Sequence, residues 1–266
     1  MSDTFNIKRF WNYLCADIRN AWNNYGISLL LVAFMPLISF LLVELTSLVG
    51  TGTLTDYEMP GKVAIAYICI FVVMLTFPTK HYGHITDKRF GSDFVLLPAS
   101  VFEKTLSLFV VSCVVLPLAF FLISGGVDLI LSTIPVYGES LISGIVQVFN
   151  RTVQEFVSGG IEVSKAAVLL QIYAFWVSGI LVYVLGAIVF KRGKVAKTIL
   201  VLMGLSFLLM LILLAAVNIF DMPAFLERIF EIDDLRAFNV FLNVINFVGI
   251  AVPMVLIYFR LRTIKH

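Results

Sequence analysis

The chain has 266 residues, 60% of them hydrophobic and 14% charged, and a mean hydropathy of +1.00. That is well outside the range of a domain whose surface must be wetted, and it leaves no room for a separate soluble module such as a nucleotide-binding domain. A net charge of +2, divided among short loops, excludes nucleic acid as a partner. Cys69 and Cys113 fall in apolar runs and Cys15 on an apolar helix face, so the cysteines read as small core residues rather than a disulfide framework or a zinc knot.

Residues 1–26 predict an amphipathic helix. Ile7, Phe10, Trp11, Leu14, Cys15, Ile18, Trp22 and Tyr25 recur at helical spacing, and Lys8, Arg9, Asn12, Asp17, Arg19 and Asn20 take the other face. Tryptophans and basic residues at its margins suit an elbow lying along the membrane surface and leading through Gly26 into the bilayer. The first long apolar run begins only at Ile27, so no cleaved secretory signal is expected.

From residue 27 to 266 the pattern is that of one transmembrane domain. Ile27–Val49, Val63–Phe77, Thr105–Ile123, Ala166–Phe190, Thr198–Ile219 and Val240–Phe259 are long enough, or nearly so, to cross roughly 30 Å of hydrocarbon at about 1.5 Å per residue. The runs are continuous and do not alternate, which favours helices over barrel strands. The fold class is therefore all-α, with six transmembrane helices. The second run is the shortest and is open to extension past Pro78. Pro36, Pro117 and Pro253 are candidate kinks, and Gly179 and Gly186 allow close packing of the fourth span.

Lys and Arg set the orientation. Fourteen of the nineteen lie before span one, in the loops after spans two and four, or after span six; only Lys62, Arg151, Lys165, Arg228 and Arg236 lie on the other side. The bias places both termini in the cytoplasm of a multi-pass protein of the cell (inner or plasma) membrane. Two outer loops, 125–165 and 220–237, also look helical. Leu141–Val157 has one apolar face, and in Pro223–Ala237 Phe225, Leu226, Ile229 and Phe230 oppose Glu227, Glu231 and Asp234.

The cytoplasmic loop 80–104 is the most informative. Ser100 is placed to cap the third span while Glu103 reaches back in a capping box. Ahead of it, Asp87, Lys88, Arg89, Phe90, Phe94, Leu96 and Leu97 mix charge with exposed apolar groups, a composition suited to docking on another protein or to a solvated loop. In this stretch, together with the elbow before six spans and a short helical element before the last span, the chain resembles the permease subunits of type-2 ABC exporters. The resemblance implies that Asp87–Leu97 is a coupling helix seated in a cleft of a separate ATP-binding subunit. It also implies pairing with itself or a similar chain, with ATP and magnesium held by the partner and no cofactor on this chain.

Catalytic readings find little support. His81 and His84 have only Asp87 as a nearby further ligand, so no metal site is expected, and Glu44 reads as the only clear carboxylate in a span. No catalytic residues are assigned. Glu44 and the stripe Asn239, Asn243 and Asn246 are candidates for a cargo pathway, the stripe equally for hydrogen bonds between helices. The rival readings are an ion-coupled secondary transporter and a membrane enzyme or assembly protein.

Overall fold

The computed structural model describes residues 5–50, 59–86, 97–158, 165–219 and 235–263. Among these the chain is almost entirely helical, with no strand. The helices are α1 (Ile7–Ala33), α2 (Met35–Gly50), α3 (Met59–His81), α4 (Val101–Val110), α5 (Leu116–Leu131), α6 (Leu141–Ser158), α7 (Lys165–Val189), α8 (Lys194–Ile219) and α9 (Leu235–Thr263). Short 3₁₀ turns occupy Gly83–Thr86 and Pro135–Tyr137. Six stretches are long and apolar enough to cross a bilayer: Ile7–Gly50, Gly61–His81, Val101–Leu131, Leu169–Val189, Lys194–Ile212 and Asn243–Thr263. The fold class read from the sequence is that observed, and among the described residues the candidate spans number six, as expected.

Boundaries differ in instructive places. α1 runs unbroken through Gly26, and the interruption falls at Phe34, just ahead of the candidate kink Pro36. Pro36 has no amide hydrogen to give to Val32, so the ladder must break near it. Gly26 stays helical because it is buried, and any side chain there would press on the Trp22 ring at 3.1 Å. The amphipathic N-terminal segment is therefore one helix with the start of span one. It packs beside span three in parallel: Arg9 meets Glu103, Asp17 meets Ser107, and Phe40 of α2 joins Leu131. Span two extends past Pro78 to His81. Span three extends to Leu131, so its 31 residues reach roughly 46 Å at about 1.5 Å per residue.

Span three carries a π-helical turn, Val111–Val115, between α4 and α5. The cause lies two residues further on. Pro117 lacks the N–H that the Cys113 carbonyl would accept, so that carbonyl is left over in the interior. The Tyr173 hydroxyl of α7 donates to it at 2.6 Å, which satisfies the group and fixes α7 against the bulge. On the other side of α7, Gly186 lets α8 approach closely; a Cβ there would lie 2.0 Å from Thr198 Oγ1.

The core lies between α1, α3, span three and α7, with Tyr25, Leu29, Val73, Phe77, Val111, Cys113, Ile180 and Val184 at its centre. α9 packs on α7 and α4. α8 buries Thr198 near its start and leaves Leu200, Met203, Phe207 and Met210 exposed. Of the two outer segments, Leu141–Val157 is helical as α6. Residues 220–234 of the other lie outside the described residues, and α9 begins at Leu235.

The bulge accounts for one expected result. Tyr173→Phe orphans the Cys113 carbonyl and should cost about 1–3 kcal/mol, measured as loss of thermal stability in detergent. In a Pro117→Ala background, which returns an N–H to that carbonyl, the same substitution should cost clearly less.

Candidate functional site

The helices run in alternation, so the basic residues at the starts of α1, α4 and α8 and just at or after the ends of α3, α7 and α9 gather at one end of the bundle. The loop 80–104 leaves and re-enters there. Asp87, Lys88, Arg89, Phe90, Phe94 and Leu96 lie outside the described residues; Leu97, the first residue after them, is exposed. What the structure describes is how both flanks of that loop are fastened.

The returning flank ends in the capping box expected from Ser100 and Glu103. Ser100 is extended (φ −68°, ψ 158°), its hydroxyl accepts from the Glu103 amide at 3.2 Å, and Glu103 Oε2 accepts from the Ser100 amide at 2.8 Å. Glu103 does more than close the box. Its Oε1 also accepts from the Asn6 amide at 2.9 Å and from Arg9 Nη2 at 2.7 Å, and its Oε2 from Arg9 Nε at 2.7 Å. Four donors thus surround a carboxylate that is 0% exposed, and the arginine fork supplies two of them. Asn6 is also the N-cap of α1, its side-chain oxygen accepting from the amides of Lys8 and Arg9. One glutamate therefore caps span three and ties it to the first turn of the chain.

The outgoing flank is held by Asp17. Expected on the polar outer face of the N-terminal helix, Asp17 is instead buried. Its Oδ1 pairs with His81 Nε2 at 3.0 Å; its Oδ2 accepts from the Ser107 hydroxyl at 2.8 Å and the Tyr82 hydroxyl at 3.3 Å. The rings of His81 and Tyr82, which reach Asp17, pack on one another and on Phe77. His81, weighed above as a metal ligand, uses its Nε2 on this carboxylate. A buried carboxylate that kept no partners would be costly, and here three side chains from two other helical segments converge on it. Lys194, at the start of α8, donates to the Gly83 carbonyl in the 3₁₀ turn that leads into the loop. Gly193, at φ 63°, makes the left-handed turn that sets Lys194 there. The loop is thus bounded by a turn fixed to α1 and α8 and a helix start fixed to α1.

The pathway candidates are not brought together. Glu44 is buried on α2, a helix that packs on α3 and α5, and neither carboxylate oxygen has a hydrogen-bond partner. Asn243 is exposed and Asn246 half-buried on α9, which packs on α7 and α4; Asn239 belongs to the same helix.

Glu44 is also not the only carboxylate in a span. Asp128 lies in the unexpected extension of span three, 2% exposed. It accepts from the Tyr137 hydroxyl at 2.6 Å and from the Ile142 amide at 3.4 Å. Beside it, Lys62 donates to the Tyr137 and Glu139 carbonyls and lies 3.8 Å from the centre of the Tyr137 ring. Sequence reasoning ended span three at Ser124-Gly125-Gly126, a weak helical stretch, and so read Asp128 as part of a loop. The short spacing from Asp128 to Tyr137 and the start of the next amphipathic run was the available signal.

Removing the Asp17 carboxylate should be the most damaging single change at this end. Asp17→Ala leaves His81 and Ser107 buried without their partner and should cost about 3–5 kcal/mol, against about 1 kcal/mol for Ser107→Ala. Thermal unfolding of the purified variants in detergent checks this order.

No family model, curated protein or solved structure matches the chain.

Proposed function

We propose that this chain is the permease subunit of an ATP-driven exporter of the type-2 ABC class. It pairs with itself or a similar chain to form a translocation path, and separate ATP-binding subunits supply the power. Both termini and the loop 80–104 face the cytoplasm, where Asp87–Leu97 docks on the ATP-binding subunit. The observation that carries this reading is the fastening of the loop's two flanks. A segment that must transmit a push needs rigid outlets, and this one ends in helix starts and turns bound to α1, α4 and α8 by Glu103, Asp17 and Lys194.

The mechanism is mechanical. Closure of the ATP-binding subunits displaces the docked segment. The capped start of α4 moves as a unit, and the Arg9–Glu103 pair carries α1 with it. The exposed Lys8, Lys80, Lys191 and Arg192 make the surrounding surface basic, suited to an acidic rim on the partner. The rival reading, an ion-coupled transporter, draws on a different observation: the buried Glu44 carboxylate without a hydrogen-bond partner.

Orientation is checked by single cysteines in a cysteine-free background. One at Thr133 should label from outside intact cells, and one at Arg192 only after permeabilisation; both positions are exposed. Reversed labelling refutes the topology.

Docking is checked by Phe94→Ala combined with Leu96→Ala. Truncating a central buried aromatic anchor costs on the order of 2 kcal/mol, roughly thirtyfold in binding. The variant should remain folded in the membrane and lose its ATPase on co-purification, or keep it with hydrolysis no longer stimulated by cargo. Wild-type retention together with wild-type stimulation would remove the coupling assignment. If no ATPase co-purifies with the wild-type chain and transport follows an imposed ion gradient, the ion-coupled reading replaces it.

A further inference from the structure

At the end of the bundle opposite the basic loops, spans one, two and three and the amphipathic helix α6 enclose a cavity of about 160 Å³. Its depth is walled by Cys69 and Phe120, both buried, and α6 roofs it with Ile142 and Ile145. The wall is apolar apart from the Ser124 hydroxyl, the Cys69 thiol and Asp128. Asp128 forms one edge of the lining, where its Oδ1 accepts from the Tyr137 hydroxyl and its Oδ2 from the Ile142 amide. Those two bonds hold the start of α6 over the opening.

Exposure of the lining shows where the cavity opens. Phe121, Ile142 and Ile145 line it and are also 54%, 43% and 51% exposed, whereas Cys69 and Phe120 are 3% and 4%. The mouth therefore lies sideways, between span three and α6. Its neighbour on the outside of span three is Leu122, 74% exposed on an apolar surface. In a bilayer such a surface meets hydrocarbon. Apolar cavities of about 150 Å³ take up benzene-sized guests, so the space is large enough for a stretch of hydrocarbon chain. Gly125 sets the height of the roof, since a Cβ there would lie 3.1 Å from Ile142 Cδ1.

We propose that this cavity is a binding site for an alkyl or acyl chain, which enters laterally from the bilayer between span three and α6 and packs on Phe120 and Cys69. The site is independent of the ATP-coupled reading. Its wall is mostly apolar, so it takes the apolar tail of a membrane amphiphile and leaves the head at the interface beside α6.

Photo-crosslinking of the full-length protein tests this. The protein is reconstituted in phosphatidylcholine vesicles containing a phosphatidylcholine with a diazirine near the end of one acyl chain, and in a parallel arm in vesicles containing a diazirine fatty acid. The expected result is labelling of Cys69 and Phe120 in at least one arm, at a yield above that of outward-facing Leu122 and Leu200. The arm that labels identifies the source as phospholipid or free acid. Gly125→Leu, or Ala66→Leu from the opposite wall, should abolish inner-wall labelling while Leu122 labelling persists, which also shows that the variant is folded and inserted. Labelling confined to Leu122 and Leu200 in both arms overturns the proposal, as does inner-wall labelling that persists in both variants.

Discussion

Apolar helices in a bilayer gain little by leaving lipid for one another, so their arrangement depends on shape and on the few polar groups they bury together. In this chain that dependence falls on two carboxylates of the N-terminal half. Asp17 reaches from α1 to α3 and α4, and Glu103 reaches from α4 back to the first turn of α1. Around them sit Tyr25, Phe77 and Val111, whose packing is specific only if the three helices meet in one register. The Tyr25 hydroxyl, 2.6 Å from Thr76 Oγ1, repeats the same logic two turns further along.

Defects in the helices follow a related rule. Each proline that removes an amide donor creates a carbonyl that must find another partner or a place to open. At Pro36 the helix opens, separating α1 from α2. At Pro117 it widens into a π turn, and a tyrosine from another helix supplies the missing hydrogen bond. The second solution joins α7 to span three, so a local irregularity becomes a tertiary contact.

The six spans, the helical outer segment and the capping box were legible in the sequence because each rests on a local signal: an apolar run, a 3.6-residue period, a Ser and a Glu three apart. Asp17 was not. Its position on the helical wheel is correct for a polar face, but that face meets His81 and Ser107, more than sixty residues away, and no local period reveals it. Arg9 was counted among the charges that orient the chain, and its pairing with Glu103 was equally invisible. That the amphipathic segment and the start of span one form one unbroken helix through Gly26 was not legible either, because it depends on the packing that buries Gly26 beside Trp22. The residues of the docking segment between Asp87 and Leu96 lie outside the described residues, and their role stands on the sequence pattern and on the geometry of their flanks.

The pairing of Arg9 with Glu103 also orders events during synthesis. The two residues are 94 positions apart. At elongation rates of about 5–20 residues per second, roughly 5 to 20 seconds pass between the emergence of the arginine and that of its carboxylate. Over that interval the first helix is in place or inserting, but nothing yet fixes its leading turn. The third span both completes the clamp and, with Ser107, engages Asp17. The N-terminal helix therefore cannot take its final seat until the third span has emerged, with three spans still to come, and a chain interrupted before residue 103 would leave Arg9 without its carboxylate.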